Sequence, residues 1–545
     1  MSKNHFRIEV NYMFMCRKKI AKILIISSTT FASMLSWGIV NVGEDLELEG
    51  FVKAYNIMKN GASFFHDGEL THQRNTAQLE GKYYFLKDGQ MFNRFASGPI
   101  DEATFTFLGR AVYDSAYDIR DSYGSLHDRG KEEYKIREAF VDFSMAPFSL
   151  RLGKQQVVWG ETDNFRALDV INPLDRTWHG TRESWEDIRI PLWMARGIWD
   201  VGKIGPFDET FLELILIPDD FQATKAATRY PRPWAIRGLG SQSHNANSVL
   251  IGNTLHDLNV TVTDGAPDDR KLSNMQGGFR FKGIWNEVDF SVNYYYGFSQ
   301  TTGVKVKSAG LDSLGVFNVD VETVNPRINV FGVTASFSED RYTQSVFRLE
   351  STITSGVPVA IAAGAPDRAN PNGNSFDTAK QSVVMIGIDR PTWIPALNKL
   401  RTFFISTQFF WRRYLDYNNY YQGSAFYDVS PATVNGVTVP DRYVSENNNR
   451  LDQDEFVITF SASTTYGAAG LWKPLFVFAY DPRSTGSYSK IKMEYLFSKH
   501  LVFAVEQHLY WRTDGDDTGP WGLGSYLGEP GIRRNETVFT ATYQF

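Results

Sequence analysis

The last seven residues of the chain, Phe539-Thr540-Ala541-Thr542-Tyr543-Gln544-Phe545, alternate strictly between apolar and polar side chains. A period of two residues indicates a β-strand with one apolar and one polar face. A terminal strand this rich in aromatic residues is typical of a closed barrel in an outer membrane, where lipid covers the outside and water or protein fills the inside. Similar alternation recurs upstream at 289–298, 456–463 and 490–497.

The composition favours a large strand-rich protein. Of the 545 residues, 42% are hydrophobic and 14% are aromatic, which suits a barrel with aromatic girdles. A large soluble all-β protein, such as an array of sandwiches or a propeller, is the alternative interpretation. The formal net charge of −6 does not suggest a nucleic-acid binder.

The N-terminal segment has the order of a secretory signal peptide. Four basic residues lie within 17–22, and an apolar run follows at 23–37. That run is too short for a membrane-spanning helix. We therefore expect a signal peptide at 1–38 and export by the Sec route, with Met13 or Met15 as an alternative start.

The remaining chain, 39–545, is expected to form a single barrel domain. Cys16 is the only cysteine and precedes the apolar run, so the mature chain would contain no disulfide and no thiolate metal site. We predict no metal and no cofactor.

The links between the alternating segments mostly alternate between short and long. The link at 498–499 is short, whereas 218–276 is the longest. Two links, 88–102 and 482–486, break the alternation. Short turns at one end and long loops at the other, with both termini at the short-turn end, predict an all-β fold: a transmembrane antiparallel β-barrel of about 16–18 strands with an inward-folded loop.

One stretch, 151–196, departs from the period of two and is dense in charge and tryptophan. It contains a Gly-Lys-Gln run, a Trp-Gly pair, spaced aspartates around Asn-Pro, and a later Trp-Glu, Ile-Pro and Trp. The stretch resembles the signature of the Gram-negative bacterial family catalogued as domain of unknown function 1302. The matching residues are Gly153, Lys154, Gln155, Trp159, Gly160, Asp163, Asp169, Asn172, Pro173, Asp175, Trp185, Ile190, Pro191 and Trp193.

The resemblance implies an outer-membrane barrel in contact with outer-membrane lipid. It also associates the chain with export systems for lipids or hydrophobic compounds, and so with a periplasmic lipoprotein or an inner-membrane transporter as partner. Lys154 stands where many members carry Arg. By similarity to outer-membrane barrels in general, Tyr543 and Phe545 would be the membrane-insertion signal that the barrel-assembly machinery reads.

The charged stretch is predicted to be a loop, 158–193, that folds into the lumen and narrows it, because charged side chains at a constriction set selectivity. The alternatives are that its charges only hold the loop in place, or that it is an exposed surface loop. The expected constriction residues are Asp163, Arg166, Asp169, Asp175, Arg182, Glu186 and Arg189.

The favoured function is therefore a porin-like channel or transporter for a small or amphipathic solute, of open oligomeric state, and not an enzyme. The sequence contains no Gly-x-Ser-x-Gly, His-Glu-x-x-His or phosphate-loop motif. A barrel-embedded lipid hydrolase, with His508 and Glu506 as its acid–base pair, is the rival hypothesis. A third is a non-conducting scaffold or adhesion barrel that uses loops 218–276 and 414–453.

Overall fold

The computed structural model describes most of the chain after the predicted signal peptide, which lies outside the described residues. The described residues are 40–60, 69–92, 95–96, 98–120, 131–163, 165–180, 182–218, 220–226, 248–267, 271–361, 366, 376–422, 427–434, 437–445, 451–482, 486–512 and 535–545.

Eighteen long strands form one antiparallel sheet in which each strand pairs with the next along the chain. They are β1 Leu46–Lys59, β2 Glu69–Lys87, β3 Glu102–Asp114, β4 Glu132–Met145, β5 Phe148–Gln155, β6 Leu192–Ile204, β7 Phe207–Ile217, β8 Gln276–Trp285, β9 Val288–Phe298, β10 Arg327–Glu339, β11 Ser345–Ile361, β12 Phe376–Thr392, β13 Phe403–Tyr414, β14 Asp454–Ser463, β15 Trp472–Asp481, β16 Gly486–Leu496, β17 Leu501–Arg512 and β18 Glu536–Gln544.

The last strand closes the sheet into a barrel. β18 pairs antiparallel with β1, from Phe51 opposite Gln544 to Lys59 opposite Glu536. The terminal Phe545 extends this ladder, since its amide donates to the carbonyl of Gly50 at 2.9 Å. Closure removes the free edges that an open sheet would expose. The predicted antiparallel barrel is confirmed, at the upper end of the expected strand number.

The period of two places apolar side chains on the outside of every strand. On β18, Phe539 is 44% exposed whereas the preceding Val538 is fully buried. The exposed set has a member on each strand: Val52, Leu79, Phe105, Ile136, Leu152, Trp193, Leu214, Phe279, Tyr296, Phe331, Ile353, Ile386, Phe409, Ile458, Phe476, Ile491, Phe503 and Phe539. Such an outward apolar surface suits contact with lipid hydrocarbon.

Polar side chains occupy the opposite, inward face. Glu213, Asn293, Glu350 and His508 all lie there with essentially no exposed surface. Among the described residues, no helix has the length and apolar character required to span a bilayer.

The two ends of the barrel differ as the sequence predicted. Tight turns such as 205–206 and 286–287 lie at one end. The irregular link at 88–101 belongs to this end and carries two short strands, Gln90–Met91 and Phe95–Ala96. A further short strand, Val40–Val42, pairs with the start of β1.

The long loops at the other end carry secondary structure of their own. A four-stranded sheet contains Ser248–Ile251, Thr254–Asp264, Phe317–Val324 and Gly303–Leu311 in that order. The other short elements are the strands Asp175–Arg176, Lys225–Ala226, Tyr421–Gln422, Tyr427–Val434 and Val437–Ser445, the helices Ala116–Ile119 and Trp185–Ile188, and the 3-10 turn Leu272–Asn274.

The charged stretch joins β5 to β6 and runs from residue 156 to residue 191, and we call it the lumen loop. Its predicted end at residue 193 is two residues too late, because Leu192 and Trp193 already pair with β5 as the first residues of β6. Trp193 is 55% exposed on the outer face, so it belongs to the barrel wall and not to the loop.

Candidate functional site: the lumen loop and the adjoining wall

The base of the lumen loop is held to the wall by a hydrophobic core. Trp159 is the largest side chain in this core and is 2% exposed. The loop contributes Val157, Trp159, Leu168 and Ile171, and the wall contributes Leu192, Met194, Ile215, Ile217, Tyr295, Ile328 and Val330. Fully buried aliphatic and aromatic groups of this kind stabilise by several kcal/mol in total, at about 1.5–3 kcal/mol each, so the base is a fixed part of the fold.

A glycine in the wall makes this contact possible. A side chain at Gly332 on β10 would meet Leu168 Cδ1 at 2.3 Å, which is below any contact that real Cβ atoms make. The absence of a side chain at this wall position therefore lets Leu168 of the loop pack directly on the β10 backbone.

The two ends of the loop are tied together by Asn172. Its Oδ1 accepts a hydrogen bond from the amide of Val157 at 2.8 Å, and its Nδ2 donates to the carbonyl of Ile190 at 2.9 Å. The amide of Ile190 in turn donates to the carbonyl of Pro173. The Asn-Pro pair thus closes the neck of the loop.

Three of the predicted constriction residues form a buried ion-pair cluster beside this neck. Asp169 lies 2.8 Å from Arg189 and 3.2 Å from Arg166. Burial lowers the pKa of Arg166, while the carboxylate of Asp169 acts in the opposite direction. Asp169 and Arg189 are buried and Arg166 nearly so, so the three charges are paired with one another.

Asp163 reaches the wall on the side of β11 and β13. Its carboxylate lies 2.7 Å from Arg348 and accepts from Gln408 Nε2 at 2.9 Å. Its backbone carbonyl accepts from the Trp185 indole at 2.7 Å. The side chain is about half exposed, so of the charged residues in this half of the loop it is the one open to solvent.

The tip of the loop is held on the other side of the lumen by a buried histidine. His179 Nε2 lies 2.7 Å from Glu536 on β18, and its Nδ1 lies 3.1 Å from the Tyr55 hydroxyl on β1 and 3.2 Å from Glu183. Glu183 also pairs with Arg74 on β2 at 2.9 Å.

The charge state of this group follows from its neighbours. Burial alone would lower the pKa of His179, but the Glu536 and Glu183 carboxylates outweigh burial and raise it to about 9. Burial would raise the pKa of Glu183, but Arg74 and His179 hold it well below its usual value. At neutral pH the tip is therefore docked by charged groups.

Arg182 and Asp175 also make local contacts. Arg182 Nε donates to the Tyr510 hydroxyl at 2.7 Å, and its guanidinium lies over the rings of Tyr510 and Tyr488. Asp175 accepts from the amide of Thr177 at 3.1 Å, which stabilises a turn. Arg182 therefore helps to dock the loop on the wall, and Asp175 stabilises the local turn.

Glu186 faces an open space, which we call the wall cavity. This cavity of about 610 Å³ lies between the lumen loop and the inner faces of β1 to β4 and β18. Its lining comprises Phe51, Lys53, Gln78, Glu80, Thr106, Leu108, Arg110, Arg137, Glu138, Phe140, Gln156, Val158, Ser184, Glu186, Asp187, Arg189 and Thr542.

A second cavity, of about 550 Å³, continues from the wall cavity toward the short-turn end. The two share Phe51, Gln78 and Glu80, and the second extends to His500 and Phe545. The inner faces of β1 and β2 are therefore lined by a run of open space from the loop to the short-turn end of the barrel.

The predicted acid–base pair is enclosed. His508 has no exposed surface, and its ring nitrogens lie 3.2 Å from Glu506 and 3.2 Å from the Tyr488 hydroxyl. The His508 ring thus belongs to the buried contacts around the loop tip, and the Glu506 side chain is mostly buried beside it. Within the described part of the chain, no group of acidic, histidine or cysteine side chains has the arrangement of a metal site.

A family model described as "Protein of unknown function (DUF1302)" matches residues 61–545, which is most of the chain. This chain belongs to that family. No curated protein matches it. The closed antiparallel barrel with its outward apolar face has the architecture of an outer-membrane β-barrel, as predicted.

Several solved structures are similar to this DUF1302 chain. One is OccAB1 of Acinetobacter baumannii, with 9% identity over 93% of this chain and 98% of that chain and a TM-score of 0.45. Another is OccK2 of Pseudomonas aeruginosa in complex with glucuronate, with 10% identity over 93% of this chain and 99% of that chain and a TM-score of 0.41. OmpF of Salmonella typhi, in complex with daunomycin, has 11% identity over 93% of this chain and 100% of that chain, with a TM-score of 0.38. At these values the function has to be argued from the site itself.

Most signature residues of this DUF1302 barrel build the loop and its junction with the wall. Gly153 on β5 has φ +137°, and a side chain there would meet the Ala139 carbonyl at 2.3 Å. Gln155 donates to the carbonyl of Met194 on β6 at 3.1 Å. A side chain at Gly160 would press on the Asp169 amide. Pro191 is buried beside the start of β6.

Lys154 and the C-terminal aromatics lie elsewhere. Lys154 donates to the carbonyl of Ile136 at 3.1 Å. Tyr543 stacks on His500, and the Phe545 ring lies against Gly50. The role of Tyr543 and Phe545 in membrane insertion stays a prediction.

The wall residues that complete the site were not among the site residues predicted from the sequence. Arg74, Arg110, Glu80 and Glu138 sit at inward positions of β2 to β4, and His179 lies in the loop without a motif around it. The two-residue period of the sequence indicated that β2 to β4 each have a polar face. Which of those positions the loop covers depends on the path of the loop through the barrel, and no local pattern encodes it.

Proposed function

We propose that this DUF1302 protein is an outer-membrane channel for a small or amphipathic solute, with the lumen loop as a fixed filter. The observation that carries the proposal is the anchoring of one loop to opposite sides of the barrel. Its base packs on β7, β9 and β10, and its tip pairs with β1, β2 and β18. A loop held at both ends narrows the lumen permanently.

The remaining passage would follow the wall cavity along β1 to β4. Three residues of the loop, Val158, Ser184 and Glu186, are exposed and border this cavity. A solute that moves along the wall therefore meets both apolar and charged side chains. The buried position of His508 speaks against the hydrolase alternative, since catalysis requires contact with a substrate.

Conductance of the purified protein in planar bilayers tests the proposal. We expect small single-channel steps in the wild type and larger steps when residues 163–187 are replaced by a short flexible linker. A folded wild type without conductance, together with a folded deletion variant without conductance, would refute the channel.

Chemical modification locates the passage. With Cys16, the single cysteine, replaced by serine, Val158→Cys presents a thiol at the wall cavity. A bulky thiol reagent is expected to reduce the conductance of this variant. The matched control is Trp193→Cys on the outer face, where the same reagent should leave the conductance unchanged.

A further inference from the structure

Two links at the short-turn end of the barrel are braced against each other. They join β12 to β13 at 393–402 and β14 to β15 at 464–471, and we call them the turn platform. Asn398 is buried between them and donates to Thr464 Oγ1 at 3.1 Å and to the carbonyl of Thr465 at 3.0 Å. The two links therefore form one ordered surface.

The turn platform exposes large apolar side chains. Leu400 is 85% exposed and Trp393 is 60% exposed, and Leu397 and Leu471 are exposed as well. A single exposed apolar residue is ordinary on any protein surface. Four of them on two braced links are a concentration that indicates an interaction surface.

The turn platform also carries positive charge and no acid. Arg390 at the end of β12, Lys399 and Arg401 are all exposed, whereas neither 390–402 nor 464–471 contains an Asp or a Glu. Arg401 donates to a hydroxyl and a carbonyl of the second link, and these neutral groups leave its charge in place. None of the three bases forms an ion pair with a described residue. Three positive charges therefore remain uncompensated.

The rest of the short-turn end has a different charge balance. Acids lie in or beside the links before β1, β3, β7 and β9, namely Glu44, Asp45, Asp88, Asp101, Asp208, Glu209 and Glu287. Two bases of this region are already paired. Lys87 lies 3.2 Å from Asp45, and Lys203 lies 2.7 Å from Asp208. The turn 340–344 holds one acid and one base, so the positive excess at this end lies on the side of the turn platform.

The turn platform continues the outward apolar surface of the barrel. On β12, Ile386 and Ile388 are exposed on the outer face, and the period of two places Arg390 on that face directly before the platform. On β15, Trp472 stacks on Tyr495 of β16 with ring centroids 4.3 Å apart. Tryptophan and tyrosine are enriched where hydrocarbon meets lipid headgroups. Since the short turns of an outer-membrane barrel face the periplasm, this boundary belongs to the periplasmic leaflet.

We propose that the turn platform binds anionic phospholipid of the periplasmic leaflet. Arg390, Lys399 and Arg401 attract the headgroup phosphate, and Trp393 and Leu400 enter the leaflet beside the acyl chains. Bases next to exposed apolar side chains are the combination by which interfacial segments bind anionic lipid. Lipid is favoured over a protein partner because the hydrocarbon-facing surface of the barrel runs directly into the platform. This partner is independent of the lumen and of the channel function proposed above.

Lipid titration of the full barrel in a non-ionic detergent, read by native mass spectrometry, tests the turn platform. The probes are phosphatidylglycerol and phosphatidylcholine with identical acyl chains, so that only the headgroup charge differs. We expect phosphatidylglycerol to bind more tightly. Each of Arg390→Gln, Lys399→Gln and Arg401→Gln should weaken its binding about fivefold, the scale of one base near an anionic surface. The triple variant should bind the two lipids alike.

Lys203→Gln is the matched control, because Lys203 is an exposed base at the same end that is paired with Asp208; its affinity for phosphatidylglycerol should be unchanged. Arg401→Lys keeps the charge and should keep the affinity, which separates the effect of charge from the bracing of the two links. Equal affinity of the wild type for the two lipids, or an unchanged affinity for phosphatidylglycerol in the triple variant, would overturn the proposal.

A photo-crosslinking residue in place of Leu400, used in intact cells that express the barrel, distinguishes lipid from protein as the occupant. We expect a phospholipid adduct, whereas an adduct to a protein would overturn the assignment to lipid. Neither experiment measures conductance. A barrel that never conducts would therefore refute the channel and leave the turn platform standing, and a loss of lipid preference would do the reverse.

Discussion

Replacement of Trp159 by alanine tests whether the lumen loop is a fixed part of the fold. Trp159 is 2% exposed and packs between loop and wall in a hydrophobic cluster. Truncation of a buried Trp costs about 3–5 kcal/mol. Because the barrel strands keep their own hydrogen bonds, most of this loss should fall on the docking equilibrium of the loop.

Hydrogen exchange measured by mass spectrometry reads that equilibrium directly. The amides of Glu161 and Leu168 both donate to the carboxylate of Glu350 on β11, so their exchange reports opening of the loop base. A loss of about 3–5 kcal/mol would speed exchange by about two to three and a half orders of magnitude. Peptides from β14 to β17 should exchange as in the wild type.

Two tryptophans in the same region provide matched controls. Trp193→Ala removes a side chain on the outer face and should leave loop exchange unchanged. Trp185→Ala removes a half-buried side chain with one hydrogen bond, worth about 1 kcal/mol, and should have a much smaller effect. Wild-type exchange rates at Glu161 and Leu168 in Trp159→Ala would show that the hydrophobic core does not hold the loop.

Three further predictions concern the tip and the base of the loop. The pKa of His179 is raised from 6.5 to about 9. The contribution of His179 to docking is therefore complete below about pH 6.5 and is lost as the pH rises through about 9. Proteolysis of the tip should increase across this pH window in the wild type but not in His179→Gln. Glu183→Gln removes the carboxylate that His179 and Arg74 share and should weaken docking of the tip by about 3–5 kcal/mol. The measurement is hydrogen exchange of the tip amides, which should become faster. Unchanged exchange would contradict the role assigned to Glu183. Gly332→Val should displace Leu168 and raise single-channel conductance. Gly310→Val is the control and should leave conductance unchanged, because a side chain at Gly310 meets open space. Equal conductance in both variants would argue against a docked base.

The alternation of apolar and polar residues was sufficient to predict the barrel. A strand with one lipid face and one lumen face repeats every two residues whatever its neighbours are, so segments such as 539–545 identify themselves. The same local pattern fixed the strand number to within two and the end of the barrel that carries the long loops. The charge and tryptophan density of 151–196 likewise singled out the one loop that is not wall.

The contacts of that loop were decided by the tertiary structure. Asp163, Asp169 and Glu186 are similar acids in one short segment, yet one meets Arg348 on the far wall, one is buried between two arginines, and one faces the wall cavity. Glu80 lies opposite Glu49 and Leu108, and Leu108 lies opposite Glu138, because the register of β1 to β4 aligns residues that are distant in the chain. Sequence by itself determined which residues face the lumen, since that depends on the two-residue period. Only the closed barrel and the path of the loop through it decided which of those residues meet, because such contacts join strands that are distant in the chain.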